Sequence, residues 1–162
     1  LYRYATQTGL IRPQAQTIQE SSMQEAVPKS PYGRYIHAHP GFFQLPEQVV
    51  AFLTGCYASQ VCSAQREARG ADPFNKKFMG RLLNKTALKN LYREGHGKLA
   101  QYDKLGYVIT GLDPDLAAAW VACGDNWNIS EDEATFAFTI GYSLAYRIKQ
   151  LYGKDQPQET DQ

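Results

Sequence analysis

The chain has 162 residues, a length that fits one domain. A domain of that size buries roughly 70% of the surface its unfolded chain exposes, so neither disulfides nor a metal is needed for folding. Hydrophobic residues make up 43% and charged residues 20%, ordinary values that exclude wholesale disorder, and the formal net charge is +1.

That average hides an asymmetry. Residues 66–104 hold ten Lys/Arg against four Asp/Glu, and residues 105–162 hold three against nine. A chain divided in this way is suited to pairing with itself, with a neighbouring copy, or with two different partners.

Residues 1–39 read as a polar, partly flexible N-terminal arm. Gln, Ser and Thr are frequent there, Pro13, Pro28 and Pro31 punctuate it, and no apolar period is sustained. The more aromatic Tyr32–Ile36 suits a short strand or an anchor on a partner. Residues 40–153 form the expected helical domain, and 154–162 a frayed polar tail.

The first clear helix spans Pro46–Arg69. Proline suits its first turn, Val49, Leu53, Cys56, Tyr57, Gln60, Val61 and Ala64 recur at three- and four-residue spacing, and Gly70 ends it. A second is predicted over Pro73–Leu83, with Phe74, Phe78, Met79, Leu82 and Leu83 as its apolar side. Thr86 is the expected cap of a third, Ala87–Glu94, which Gly95-His96-Gly97 breaks before a short fourth piece, Lys98–Leu105. Tyr107–Thr110 is the best β-forming run, short enough to be a buried crossing between helices. Asp113 and Pro114 then look like the cap and first residue of a helix ending at Gly124.

The last helix carries the strongest signals. Ser130 and Glu133 match a capping box, Glu131–Glu133 sit where the helix dipole favours negative charge, and Gly153 closes it. Its apolar residues extend around much of the circumference, which points to burial at the centre of a bundle or to a second contact face. Gly55 and Gly141, each inside a helix, imply close approach of two helices at those points.

Lys77, Arg81, Lys85, Lys89 and Arg93 recur every four residues, with Lys76 beside them. On one continuous helix they would form a positive ridge roughly 24 Å long, winding about 40° per step. Three readings of this ridge stay open: a solvated face, a track for a nucleic-acid phosphate backbone, or a dock for an acidic protein segment such as Asp113, Asp115, Asp125 and Glu131–Glu133. A helix-turn-helix over Thr86–Leu105 is a weaker variant of the second, since its signal is only a glycine-flanked break.

Other chemistry is argued down. His37 and His39 could share one face of an extended segment, but neither Cys nor acid lies close enough to complete a metal site. Cys56 and Cys62 point about 120° apart on a helix, and Cys123 lies near a helix C-terminus, where a thiolate is disfavoured. Buried reduced thiols are expected, with a bridge from Cys123 to either of the others left open. Asp125–Asn128 departs from a calcium loop at Trp127 and Ile129. The sequons at Asn84 and Asn128 coincide with helix starts that already account for Thr86 and Ser130.

No stretch reaches the 18 apolar residues of a membrane span, and no signal-peptide pattern is visible. A cytoplasmic location is slightly favoured, loosened by the start at Leu1. The expectation is therefore a mainly α protein, an irregular bundle of five or six helices with an extended N-terminal arm. Its expected role is a non-enzymatic interaction subunit of a larger assembly, with a protein partner or self-association and no cofactor or metal. The alternative is a helical nucleic-acid binder using Lys76, Lys77, Arg81, Lys85, Lys89 and Arg93.

Overall fold

The computed structural model describes residues 27–102 and 111–153. The Tyr107–Thr110 run, the tail from 154 and the arm before Val27 lie outside the described residues. Every regular element within them is helical: α1 Pro31–Ala38, α2 Pro46–Arg69, a 3-10 turn Pro73–Lys77, α3 Lys85–Gln101, α4 Leu112–Cys123 and α5 Glu131–Tyr152.

The centre of the bundle is α2, which touches all four other α-helices. The central helix is thus the first long one, and α5 covers one of its sides. Small residues explain the exchange. Ala51, Gly55, Ala58 and Ala64 punctuate α2, so neighbours can approach it from several directions, and the run from Val50 to Ala58 is buried without interruption. Three of its buried polar side chains are satisfied internally, while Glu47 Oε2 and the Tyr57 hydroxyl are buried without a hydrogen-bond partner among the described residues. Gln60 Nε2 donates to the Tyr32 hydroxyl (2.7 Å), Thr54 Oγ1 to the Val50 carbonyl (2.7 Å), and Gln65 Oε1 accepts from the Phe74 backbone N–H (2.9 Å).

The closest approach is between α2 and α5, at the two glycines singled out by sequence. A Cβ on Gly55 would overlap the Phe138 carbonyl oxygen, and one on Gly141 would overlap that of Phe52. Cys56 Sγ lies 3.5 Å from the Gly141 carbonyl oxygen in the same crossing.

Both ends of α2 follow their local chemistry. Leu45 has no capping group, so Gln48 supplies one, accepting from the backbone N–H groups of Gln44 and Leu45 (3.1 Å each). Gly70 closes the helix in the left-handed conformation, φ 76°. At α5 the Ser130 hydroxyl accepts from the Glu133 N–H (3.1 Å), as its sequence signature implies.

Several boundaries differ from expectation. Residues 31–38, placed in the arm and read as strand-like around Tyr32–Ile36, form α1, started by the Ser30 hydroxyl accepting from the Gly33 N–H (3.0 Å). Tyr32 is fully buried, and Asp115 of α4 pins the approach by accepting from the Lys29 and Ser30 N–H groups and the Ser30 hydroxyl. The helix expected over Pro73–Leu83 stops after one 3-10 turn. Phe78 and Leu83 turn inward, while Met79 and Leu82 stay exposed, and the Leu83 N–H is anchored on Thr135 Oγ1 (2.8 Å).

Asn84, one residue pair before Thr86, caps α3 by accepting from the Ala87 N–H (2.8 Å). The helix then runs unbroken through Gly95-His96-Gly97, which removes the helix-turn-helix reading. Gly95 lies in the core-facing row, where an added Cβ would stand 3.0 Å from Val61 Cγ2 and 3.1 Å from Tyr57 Cε1. Packing holds the helix where propensity alone would end it. At α4 the cap is Gly111, and Asp113, inside the first turn, accepts from the Tyr92 hydroxyl (3.0 Å).

Candidate functional site

The break at residue 78 dissolves the continuous basic ridge. Lys76 and Lys77 sit on the 3-10 turn, Arg81 in the turn after it, and Lys85, Lys89 and Arg93 on α3. Only the last three keep the expected geometry. They stand about 6 Å apart along the helix axis and drift about 40° per step.

Of the remaining cations, Lys77 reaches the opposite flank of α3, while Arg81 lines a depression beside α5. Lys77 Nζ pairs with Glu94 Oε2 at 3.0 Å, and Glu94 lies about 100° around the helix from Arg93. One turn further on, Lys98 acts on Tyr102 together with Arg69, whose Nη1 donates to the Tyr102 hydroxyl (3.2 Å). That hydrogen bond, with a second from Gln65 Nε2 (3.3 Å), lowers the Tyr102 pKa from its ordinary value. Arg69, Lys98 and Tyr102 were missed in the sequence because nothing local joins the end of α2 to the end of α3. Gln65 makes the join, touching both Phe74 and Tyr102.

The Lys85–Arg93 flank faces α4. Lys89 Nζ lies over the Trp120 ring, 5.2 Å from its centroid. Trp120 is stacked in turn on Trp127, with centroids 6.0 Å apart and planes 24° from parallel. Both tryptophans are half-buried. Arg93 Nη2 donates to Asn90 Oδ1 (2.9 Å). Beneath this surface the Tyr92 hydroxyl is pushed up to about 12 by burial and by the Asp113 carboxylate beside it.

A second surface is apolar and surrounds the first half of α5. On one side a depression of about 320 Å³ is lined by Phe78, Met79, Leu82, Phe138 and Tyr142. On the other, one of about 210 Å³ is lined by Phe42, Phe43, Phe52, Phe136 and Ile140. Met79, Leu82, Phe42 and Phe136 at their rims are each more than half exposed. The outward side of α5 keeps Phe136 and Tyr146 exposed, while Phe138 and Ile148 are buried.

The three thiols are free and buried. Burial pushes Cys62 and Cys123 up to about 11 and Cys56 well above the usual thiol value. His39 is occupied locally, with Nδ1 2.8 Å from the Tyr35 carbonyl oxygen and its ring 4.4 Å from that of Tyr35. Among the described residues no group of three or more His, Cys, Asp or Glu is placed to hold a metal ion, and no helix is long and apolar enough to cross a membrane.

No curated protein and no solved structure matches the chain. A family model does, described as the CRISPR-associated protein TM1802 C-terminal domain, and it matches residues 1–156. That match spans all five α-helices, both flanks of α3 and the apolar surface of α5, and the chain therefore belongs to the family of the CRISPR-associated protein TM1802 C-terminal domain.

Proposed function

We propose that this chain is a helical interaction module of a CRISPR-associated assembly, docking on a protein through the outward face of α5. The observation that carries this reading is the pair of apolar depressions flanking α5, with Met79, Leu82, Phe42 and Phe136 exposed at their rims. Large apolar side chains concentrated on one face, rather than scattered singly, mark contact surfaces. Family membership supplies the setting, since a CRISPR-associated protein works among protein and nucleic-acid partners.

The test is co-purification with the other CRISPR-associated proteins encoded beside it, comparing wild type with an L82E/F136E variant. Both side chains are exposed, so the helices should survive the change, which circular dichroism checks. The variant is expected to drop out of the assembly. Incorporation at wild-type levels would count against docking through α5.

A second reading has its own support. Lys85, Lys89 and Arg93 line one flank of α3, and Lys89 lies over an aromatic ring rather than against a carboxylate. On this reading the flank contacts nucleic-acid phosphates. Labelled single- and double-stranded DNA and RNA are titrated at two salt concentrations, on wild type and on K85Q/K89Q/R93Q. Three lost phosphate contacts would make the salt dependence on a single strand shallower by about 2 in log–log slope. Equal binding by the two proteins, or none by either at low salt, would remove this reading.

A further inference from the structure

We infer that the α3–α4 flank is a stacking site for single-stranded nucleic acid, in which Trp127 takes an unpaired base while Lys85, Lys89 and Arg93 hold the adjoining phosphates. The inference rests on the second reading above and goes beyond it by naming the strand state and the base-contacting residue.

Three observations combine. First, the cations and the indoles share one surface. Lys89, Trp120 and Trp127 form a continuous stack, with the ammonium 5.2 Å and the second indole 6.0 Å from the Trp120 centroid. Proteins that bind single strands without reading sequence combine these two elements, a positive track for the backbone and aromatic faces for the bases. Trp127 is half-buried, so part of its ring stays accessible to a further π-face.

Second, the placement of charge sorts the two parts of a nucleotide. Lys85, Lys89 and Arg93 lie along α3, at intervals of about 6 Å suited to successive phosphates. The carboxylate nearest Trp127 in sequence is Asp125, which is exposed. It would repel a phosphate and leaves an uncharged base indifferent. Asn126 and Asn128 on either side of Trp127 are also exposed, and their amides can donate to or accept from base edges without reading one base alone.

Third, the stack is held in place rather than assembled on demand. Trp120 belongs to α4, whose neighbouring Ala119 and Cys123 are buried, and both indoles pack in part against the core. Stacking on a fixed ring costs little side-chain ordering. A base paired within a duplex has no free face to offer it, so the site selects unpaired strands.

The chain has two tryptophans, and both are in this stack. Intrinsic tryptophan fluorescence therefore reports on the proposed site alone. Unlabelled oligo-dT of about 12 nucleotides is titrated into the full chain at low salt, against a duplex of equal length, for wild type, W127F, W127A and K85Q/K89Q/R93Q. The single strand is expected to quench wild-type emission and to bind more tightly than the duplex. W127A should bind roughly 5- to 150-fold more weakly, the span one lost base stack covers, and W127F should keep most of the affinity.

Unquenched wild-type emission on binding, or W127A affinity equal to wild type, overturns the stacking site. The phosphate reading then survives if K85Q/K89Q/R93Q still binds more weakly. Absence of binding by every protein at low salt overturns both and leaves docking through α5 untouched. Should W127A fail to fold, wild-type quenching and the affinity of W127F decide.

Discussion

Gly141 and Gly97 both lie inside helices, and both carry the same intrinsic penalty of about 1 kcal/mol relative to alanine. Their surroundings reverse the consequence of replacing them. A Cβ at Gly141 would run into the Phe52 backbone carbonyl of α2, which cannot swing aside, whereas nothing lies within 4 Å of a Cβ at Gly97. G97A should stabilise the protein by up to about 1 kcal/mol. G141A gains the same helix propensity but must push apart the closest helix pair, an overpacking cost of about 1–3 kcal/mol or more, so it should lower stability. Urea denaturation of the two variants reads both signs, and a G141A protein as stable as wild type would mean that α2 and α5 are not in backbone contact. The thiols obey the same logic of surroundings. With Cys56, Cys62 and Cys123 buried and raised, the native protein at pH 8 should react slowly with a disulfide reagent, and the urea-unfolded chain should release three equivalents promptly.

Elements were legible in the sequence where the signal that ends them is local, and illegible where a distant contact decides. Pro46, Gly70 and Ser130 act within their own turn, so the limits of α2 and the start of α5 fall where their chemistry puts them. Gly95-His96-Gly97 resembles a stop, yet Gly95 is there because Tyr57, Val61 and Phe74 crowd that row of α3. The helix α1 was hidden for a related reason. Its eight residues show little pattern, and its start is secured by Asp115, more than eighty positions away, through hydrogen bonds of 2.6–3.1 Å to Lys29 and Ser30. D115A should therefore leave two backbone N–H groups without that acceptor and cost about 1–3 kcal/mol. Amide exchange locates the effect: residues 29–38 should exchange faster in D115A while the centre of α2 keeps its protection. Uniform loss of protection across both would make Asp115 a support of the whole bundle rather than a clasp for α1.

On the scale of the molecule, the helical class could be read from composition and periodicity, but the distribution of charge could not. The six-cation ridge assumed that Pro73–Arg93 continues as one helix. The break at 78–84 separates Lys76, Lys77 and Arg81 from α3, pairs Lys77 with Glu94 on one flank of it and leaves Lys85, Lys89 and Arg93 on the other, where Lys89 meets Trp120 across the chain. Burial imposes a second global property, a dependence of stability on alkaline pH. Cys62 and Cys123 titrate near 11 and Tyr92 near 12 in the folded chain, with Cys56 also raised, against about 8.5 for an ordinary thiol and about 10 for a tyrosine. Between roughly pH 8.5 and 11 the unfolded chain has lost thiol protons that the folded chain keeps, so the unfolded state binds fewer protons and stability falls as pH rises. Below that window these groups are protonated in both states and contribute no slope. The urea midpoint should therefore decline from pH 8.5 to 10, and a C62A/C123A variant should decline less steeply over the same interval. A wild-type midpoint that stays level or rises there would mean that the thiols are open to solvent, and with them the packing of α2 and α4 against the rest of the core.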